Sequence, residues 1–388
     1  MKRLTLLLLF AVGVLLGTQS ALAATWIVGT CKPTLPSYSS ISAAVSVPPP
    51  AGSTIEVCPG TYAEQPNITT PLTLEGITSG NGSRAVIEIP SGGLTTSVSS
   101  IIPGVTVYPQ VLVTATTGPV NIINITVDGT NNDLDGSADL AGIFYESGSS
   151  GTVNHVTARY ELDGGYGAGI WAENGTSTLE TVTIENCDIH DVDHWGIFFT
   201  SNQTPATLDA TVNGNDVEGE SAGPTRGIYS FGGAGTITGN VVTDIPGIGI
   251  FGYGSTASIS ANTVSNTEAN TNAVGIELLG AGEVVKGNTV TNNNGSGDLG
   301  ILIYDSTATV EGNKITNSNV AIEFDCTSAT VSGNSITDAA TALDQVPPSV
   351  AGTNTYFDVD TIRTECTSDA AAKRASLAAR LKKLGGIP

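Results

Sequence analysis

The fold is decided by residues 239–265, which read GNVVTDIPGIGIFGYGSTASISANTVS. This stretch holds a Gly-Asn-x-Val phrase at 239–242, a Gly-Ile phrase at 249–250 and a looser copy of the first phrase that ends at Val264. The first phrase recurs about once every 21 to 33 residues. Its clear copies begin at Gly214, Gly239, Gly287, Gly312 and Gly333, and its looser copies end at Val127, Val156, Ile189 and Val264.

The Gly-Ile phrase advances in step with the first one. Its apolar anchors are Ile143, Ile170, Ile197, Ile228, Ile250, Ile276, Ile301 and Ile322, with Leu343 as a degenerate copy. Two anchors that share one period predict a solenoid in which each repeat is a coil stacked on the last. A third phrase, Thr-Val or Thr-Ile, occurs at 236–237, 309–310 and 330–331. Short Val/Ile/Thr segments between turn residues indicate strands, so we expect an all-β solenoid with three strands per coil.

The recurring Asn has a structural explanation. In a tight turn, Asn caps backbone groups and tolerates positive φ. Copies stacked one coil apart can also hydrogen-bond to each other as a ladder along the solenoid. We therefore assign these residues to the scaffold and not to catalysis.

The first 23 residues have the pattern of a signal peptide. Lys2 and Arg3 precede an apolar run from Leu4 to Leu16, and Ala21-Leu22-Ala23 is a small-residue cleavage site. No later apolar run reaches the roughly 18 residues that a membrane span needs. The sequence therefore predicts a protein that is secreted or periplasmic, with no transmembrane segment.

Five cysteines fit that compartment. Cys31 with Cys58 and Cys326 with Cys366 are the predicted disulfides, one at each end of the repeats. Cys187 remains, at an apolar position within a repeat, and is predicted to be a buried and inert thiol.

The charge balance limits the partners. The formal net charge is −22, and the last basic residues (Lys373, Arg374, Arg380, Lys382 and Lys383) crowd the C-terminal tail. Such a body repels nucleic acid, and it repels anionic polysaccharide unless Ca²⁺ bridges the contact.

The start of the mature chain differs from the repeats. A short helical segment, 40–45, is followed by Pro59-Gly60-Thr61-Tyr62-x-Glu64. This order resembles the opening of right-handed parallel β-helix proteins of the pectate-lyase-like superfamily, and the resemblance covers about 26 to 345. It implies a right-handed parallel β-helix of roughly 10–12 coils whose N-terminal end is plugged by the helix.

Three segments are predicted: a signal peptide at 1–23, the β-helix with its N-terminal cap at 24–345, and a C-terminal cap with a basic helical tail at 346–388. The resemblance is specific for the fold and weak for activity, because the superfamily includes lyases, hydrolases, epimerases, esterases and non-catalytic proteins. The motif series of polygalacturonases and the Asp-Pro-His phrase of alginate epimerases are missing from this sequence.

An aromatic stripe is the first candidate site. Because each anchor Ile faces the tube, the next residue faces out, and in five successive coils this residue is aromatic: Phe144, Trp171, Phe198, Tyr229 and Phe251. Glu146 and Glu173 flank the stripe two positions further on. An exposed stripe of this kind favours stacking on sugar rings. The alternative is a stripe that a loop covers, or one that only stabilises the sheet.

The second candidate site is a polar cluster at 188–195 with its neighbours in adjacent coils. Its candidate catalytic residues are Arg159, His190, Asp191, His194 and Glu218. Aligning Val156, Ile189 and Val217 stacks Thr157, His190 and Glu218, which would place a His base beside a carboxylate. The alternative is a His that merely solvates an ordinary turn.

The acidic turn 128–139 is the third candidate. Asp128, Asp133, Asp135 and Asp139 supply the hard oxygen ligands that Ca²⁺ prefers, although the turn lacks a complete calcium-loop pattern. Ca²⁺ is therefore the one cofactor candidate, against a simple solvated loop.

Together these features predict a secreted β-helix that binds extracellular polysaccharide along the aromatic stripe. If it is an enzyme, it is a lyase or glycoside hydrolase. The competing prediction is a non-catalytic surface or adhesive rod.

Overall fold

The computed structural model describes residues 23–365, apart from 48, 79–83, 116, 133–138, 163–166, 220–225, 268–272, 281, 294, 305–306, 325–328 and 350. The predicted signal peptide, except for Ala23, and the basic tail lie outside the described residues. Among the described residues there are thirty-five strands and one helix, and the strands form three ladders that run along the axis of a parallel β-helix. No helix within the described ranges is long and apolar enough to cross a membrane.

The first ladder carries the Thr-Val phrase. Its strands pair in parallel, each with the equivalent strand of the next coil: β3 (Ser53–Val57), β6 (Leu72–Gly76), β10 (Val120–Ile123), β13 (Gly151–Asn154), β16 (Glu180–Glu185), β19 (Leu208–Asn213), β22 (Ala234–Thr238), β25 (Ser258–Ser260), β28 (Val284–Lys286), β31 (Thr309–Glu311) and β33 (Thr330–Ser332). β1 (Thr25–Val28) and β2 (Ser37–Tyr38) extend this ladder at the N-terminal end. The eleven described strands from β3 to β33, one per coil, agree with the predicted number of coils.

The second ladder has strands that, from β20 (Asp216–Glu218) onward, begin directly after the recurring Asn. It contains β4 (Gly60–Ala63), β7 (Ala85–Glu88), β11 (Ile125–Asp128), β14 (Thr157–Glu161), β17 (Asp188–Val192), β20 (Asp216–Glu218), β23 (Val241–Thr243), β26 (Thr263–Ser265), β29 (Thr289–Asn293), β32 (Lys314–Phe324), β34 (Ser335–Asp344) and β35 (Thr355–Thr361). β35 adds a parallel strand within the segment for which the sequence predicts the C-terminal cap.

The third ladder carries the Gly-Ile phrase. It contains β9 (Thr106–Val113), β12 (Asp139–Tyr145), β15 (Ala168–Asn174), β18 (Trp195–Ser201), β21 (Arg226–Phe231), β24 (Ile248–Tyr253), β27 (Val274–Leu279) and β30 (Leu299–Tyr304), followed by the second halves of β32 and β34. Two short strands, β5 (Asn67–Ile68) and β8 (Ser97–Val98), pair with β9, and β8 does so antiparallel.

The tube interior is filled by the predicted anchors. Ile143, Ile170 and Ile197 occupy equivalent positions on successive coils, and the column continues in register to Leu343. Every anchor in this column has at most 1% of its surface exposed. Burial of this branched column supplies the apolar core that the polar composition could not build in a globular shape.

The predicted Asn ladder is present in the turn between the first and second ladders. Each side-chain amide Nδ2 donates to the Oδ1 of the Asn one coil further on, with N···O distances of 2.9–3.0 Å, along the series Asn215, Asn240, Asn262, Asn288, Asn313, Asn334 and Asn354. The same Nδ2 also donates to a backbone carbonyl of the preceding coil, as Asn262 does to Ile237. The ladder therefore satisfies buried polar groups that the turn would otherwise leave unpaired.

Helix α1 (Ile41–Ser46) closes the N-terminal end of the tube. Ser40 caps it by accepting a hydrogen bond from the Ala43 backbone N–H. Glu64, from the Pro-Gly-Thr-Tyr-x-Glu phrase, accepts two more at 2.7 Å from the N–H groups of Ile41 and Ser42. The phrase therefore serves the scaffold, because its carboxylate satisfies free N–H groups at the helix start.

The cysteines agree with the prediction where they are described. Cys31 and Cys58 form a disulfide at the N-terminal end. Cys187 is a buried free thiol, and burial raises its pKa to about 12. The predicted partners Cys326 and Cys366 lie outside the described residues.

Candidate functional site

The aromatic stripe is a second hydrophobic core and not an exposed surface. Phe144, Trp171 and Phe198 have no exposed surface, and Tyr229 and Phe251 are 4% and 1% exposed. They pack in one cluster with Ile101, Ile102 and the first residues of the third-ladder strands. The prediction that these side chains face solvent is therefore wrong, although their alignment one coil apart is confirmed.

Ring geometry explains why the stripe suits packing better than sugar binding. Phe198, Tyr229 and Phe251 stack in sequence with centroid distances of 5.0 and 4.9 Å and interplanar angles of 25° and 13°. A ring whose face lies against its neighbour does not present that face to a ligand. The column therefore stabilises the sheet through cross-strand aromatic pairs, as the alternative interpretation stated.

A segment between β8 and β9 covers the first coils of the stripe. We call residues 99–102 the strap. The Glu173 carboxylate holds it, since it accepts hydrogen bonds from the Ser99 hydroxyl at 2.6 Å and from the Ser100 N–H at 2.7 Å. Burial raises the pKa of Glu173, and it also raises the pKa of Glu146, whose carboxylate lies 3.4 Å from the Ser97 hydroxyl. Both carboxylates lie beside the stripe as predicted, but Glu173 contacts the strap and Glu146 contacts Ser97 of β8.

The polar cluster lies on the outer face of the second ladder. Arg159, His190 and Glu218 are register partners on β14, β17 and β20, so they form one column along the axis. The predicted stacking of His190 on Glu218 is confirmed, whereas the predicted stacking of Thr157 on His190 is wrong because Thr157 pairs with Asp188. The predicted stacking assumed that Val156 lies opposite Ile189, whereas Ala158 occupies that position.

At the end of this column nearer the N-terminus, Arg159 and His190 each contact a carboxylate. The His190 ring nitrogen Nδ1 lies 2.7 Å from the Asp191 carboxylate, which can orient the imidazole. Arg159 donates from Nε to Asp128 at 2.9 Å. The Tyr160 ring meets the His190 ring edge-on at 6.2 Å between centroids. Three of the predicted catalytic residues, Arg159, His190 and Asp191, thus lie around one exposed tyrosine.

A pocket of about 480 Å³ opens beside this tyrosine. It is lined by Tyr160 and Leu162 from the end of β14 and by the turn after β11, namely Gly129, Thr130, Asn131 and Asn132. The Asn132 amide Nδ2 donates to the Leu162 carbonyl at 2.7 Å and so ties the two walls together. The pocket therefore lies at the end of the polar column, on the same side of the molecule.

A pair of carboxylates lies next to the column, within the polar cluster that the sequence indicates, although these two residues were not matched to each other from the sequence. Asp188 and Asp216 are register partners on adjacent coils, and both are exposed. Partial burial and the charge of Asp188 raise the pKa of Asp216. The signal was available, because aligning Ile189 with Val217 also aligns the residues that precede them.

His194 does not belong to this site. It is 4% exposed and packs against Trp195 with ring centroids 4.5 Å apart. Its Nε2 lies 3.3 Å from the Arg226 guanidinium, at the edge of the second hydrophobic core. Its predicted place beside His190 is wrong, because the chain turns from the second to the third ladder between these residues.

The predicted calcium turn is only partly described. Asp133 and Asp135 lie outside the described residues, and Asp139 is 7% exposed within β12. Asp128 is engaged by Arg159 and by the Thr130 N–H at 3.0 Å. In the described part of the chain, no group of three or more His, Cys, Asp or Glu side chains is placed to hold a metal ion.

Comparisons with known proteins agree on the architecture. A family described as "Right handed beta helix region" matches residues 220–355. The lacto-N-biosidase of Eubacterium ramulus aligns with a TM-score of 0.61 and 11% identity, over 88% of this chain and 67% of that one. No curated protein sequence matches.

Two further solved structures align more loosely. The mannuronan C-5 epimerase A-module of Azotobacter vinelandii has a TM-score of 0.45 and 16% identity, over 83% of this chain and 94% of that one. The DFA-IIIase of Arthrobacter chlorophenolicus has a TM-score of 0.49 and 15% identity, over 87% and 82%. At such identities the likeness concerns the fold alone. On its strand order, its register and the matches to the family and to the lacto-N-biosidase structure, the protein is a right-handed parallel β-helix.

Proposed function

We propose that this protein binds a polysaccharide across the outer face of β14, β17 and β20 and hydrolyses a glycosidic bond there. The observation that carries the proposal is the in-register pair Asp188 and Asp216 beside the column of Arg159, His190 and Glu218. The fold is one that a lacto-N-biosidase also uses, so a carbohydrate substrate fits the architecture.

The two carboxylates have the properties that glycoside hydrolysis requires. Asp216 has a raised pKa and can hold the proton that the leaving sugar oxygen needs. The Asp188 carboxylate can attack the anomeric carbon as the protonated leaving sugar departs, and water that has given its proton to Asp216 then releases the bound sugar from Asp188. Register partners on adjacent strands lie about 4.8 Å apart, close to the roughly 5–5.5 Å between carboxyl groups in retaining glycosidases. We therefore expect retention of the anomeric configuration.

The surrounding residues would hold the sugar. The pocket beside Tyr160 is wide enough for a sugar residue and lies at the Arg159 end of the polar column. Tyr160 is exposed and offers an aromatic edge and a hydroxyl, while His190, oriented by Asp191, can bond a sugar hydroxyl. This face replaces the buried aromatic stripe as the proposed binding surface.

The test is release of reducing ends from a panel of polysaccharides. We expect Asp216→Asn to lower the rate of cleavage by about 100-fold or more, as for loss of a general acid. The matched control is Asp209→Asn, an exposed carboxylate on β19 of the same coil but on the first ladder. Full activity of Asp216→Asn would reject this site. A hydrolase creates new reducing ends without unsaturated ends. Products that carry unsaturated ends would instead identify a lyase.

Secretion remains part of the proposal. The Cys31–Cys58 disulfide is compatible with an oxidising compartment. Mass spectrometry of the exported protein should find a mature chain that begins near Ala24, and a chain retained in the cytoplasm with residues 1–23 intact would contradict it.

A further inference from the structure

Tyr160 breaks the residue pattern at one corner of the β-helix. Near the end of the second-ladder strand, eight coils bend through a residue with positive φ, and on seven of them it is Asp or Asn: Asp191, Asp244, Asn266, Asn292, Asn317, Asp338 and Asp358. On the eighth it is Tyr160, with a φ of 59°. Short polar side chains tolerate this left-handed conformation, whereas a bulky side chain is strained in it. The fold therefore disfavours a tyrosine at this position.

The turn at Tyr160 is held by main-chain contacts and not by the ring. The Leu162 N–H donates to the Tyr160 carbonyl at 2.8 Å, and the Gly129 N–H donates to the Arg159 carbonyl at 2.9 Å. Gly129 lets the two coils approach this closely, because a Cβ there would lie 2.3 Å from the Tyr160 carbonyl oxygen. Any residue that adopts positive φ can make these contacts, so the turn does not explain the aromatic ring.

The ring of Tyr160 forms part of the wall of the pocket of about 480 Å³. Tyr160 is 37% exposed, and Leu162 on the same wall is 36% exposed. The Arg159 guanidinium lies 5.6 Å from the centroid of the ring, and the His190 ring meets it edge-on. These two neighbours fix the orientation of the ring while the pocket leaves part of it accessible.

The chemistry of the pocket suits a neutral sugar ring. Tyr160 and Leu162 offer apolar surface for the C–H face of a pyranose. The rest of the described lining is neutral, with Gly129, Thr130, Asn131 and Asn132. Hydroxyl and amide groups of this kind bond sugar hydroxyls. Arg159 does not offer a free cation to an acidic sugar, because its Nε donates to Asp128 at 2.9 Å.

We propose that Tyr160 is the platform of a sugar subsite in which a neutral pyranose residue of the bound glycan stacks on its ring. The inference rests on the glycan-binding part of the proposed function and names the class of sugar that the pocket takes. Tyr160 lies one coil from Asp188 and three residues along the strand, roughly 11 Å in the plane of the sheet. This distance exceeds one sugar ring, so the stacked residue is not the one whose bond is cleaved. The subsite therefore contributes binding and favours longer chains.

The first experiment measures binding by calorimetry with the full mature chain. The probes are cellohexaose, mannohexaose, N-acetylchitohexaose and, as the charged comparator, hexagalacturonate. We expect one of the neutral probes to bind most tightly and Tyr160→Asn to weaken it about five- to tenfold, whereas Tyr160→Phe, which keeps the ring, should change it less than about twofold. Tightest binding of hexagalacturonate, or no binding of any neutral probe, would overturn the inference. Equal losses in both variants would also overturn it, because the hydroxyl and not the ring would then be the contact.

Thermal unfolding of the same variants separates binding from folding. Tyr160→Asn introduces a residue that other coils use at this corner, so it should raise the midpoint by roughly 2 °C while it weakens binding. A lower midpoint would show that the ring serves the fold, and would overturn the inference.

Kinetics separate this inference from the proposed hydrolysis. On a hexasaccharide that the protein cleaves, Tyr160→Asn should raise KM and leave kcat nearly unchanged, because the subsite lies away from the reacting bond. Asp216→Asn should lower kcat. An unchanged KM in Tyr160→Asn would refute the subsite and leave the hydrolysis standing. Binding that depends on Tyr160, without cleavage of any glycan, would refute the hydrolysis and leave the subsite standing.

Discussion

Glu283 is a buried acid whose ionisation should weaken the β-helix. Glu283 is 1% exposed, and neither carboxyl oxygen has a hydrogen-bond partner in another residue of the described chain. It occupies an inward column in which the neighbouring coils place Ala257 and Ala308. Gly252 leaves the space for it, since a Cβ there would lie 2.5 Å from the Glu283 Oε1. Burial raises the pKa of Glu283 from 4.5 to about 8.

The direction in which pH changes the stability follows from the number of protons that the folded and unfolded states bind. Between about pH 4.5 and 8 the folded protein keeps the proton on Glu283 and the unfolded chain has lost it. The free energy of unfolding therefore falls as pH rises through this window, and it levels off above the folded pKa. The shift corresponds to roughly 5 kcal/mol over the whole window, as an order of magnitude. Glu283→Gln has no proton to lose, so its own contribution stays constant.

The assay is urea unfolding of Glu283→Gln and the unaltered chain at a series of pH values from 4.5 to 9. We expect the stability of the variant relative to the unaltered chain to rise by several kcal/mol between the ends of this range. Asp209→Asn, an exposed acid, is the control and should leave the profile unchanged. Parallel profiles for Glu283→Gln and the unaltered chain would show that the carboxyl is already ionised and paired in the folded state, and would refute the reasoning.

Three other residues give independent tests. Asn262→Ala should lower the free energy of unfolding by roughly 3 kcal/mol, because it leaves buried groups of the Asn ladder without hydrogen-bond partners. The control Asn292→Ala should cost under about 1 kcal/mol, because Asn292 is exposed and donates to the Asn266 side chain, and equal losses would contradict the ladder's role. Trp171→Ala should lower the free energy of unfolding in urea by about 3–5 kcal/mol, because Trp171 is fully buried, and should leave glycan cleavage by the folded protein intact. Loss of cleavage without loss of stability would show that the stripe is a binding surface after all. Cys187, whose thiol pKa is about 12, should resist maleimide at pH 8 until the chain is denatured, and mass spectrometry of the labelled site decides this.

Much of the scaffold could be predicted because its causes are local and repeat. The column from Ile143 to Leu343 follows from one apolar residue per period, and the Asn ladder follows from one turn residue per period. The helix before Pro59-Gly60-Thr61 was placed within one residue of its observed start. Even the stacking of His190 on Glu218 needed only the common period of two neighbouring coils.

The candidate site was harder to predict because coils differ in length where they turn. Thr157 pairs with Asp188 and not with His190, since the coil before β17 is offset by two residues. His194 follows His190 closely in sequence, yet it packs under Arg226 on the other side of a corner. The spacing of residues along the chain does not reveal where the chain turns from the second ladder to the third.

The sequence by itself determined which residues line up from coil to coil, because the period of apolar and turn residues dictates the winding. Only the tertiary structure decided which outward residues meet solvent. Phe144 and Trp171 point away from the tube as their pattern requires, but the strap, held by Glu173, covers them. Exposure depends on contacts between segments far apart in the chain, and a repeating pattern carries no information about those contacts.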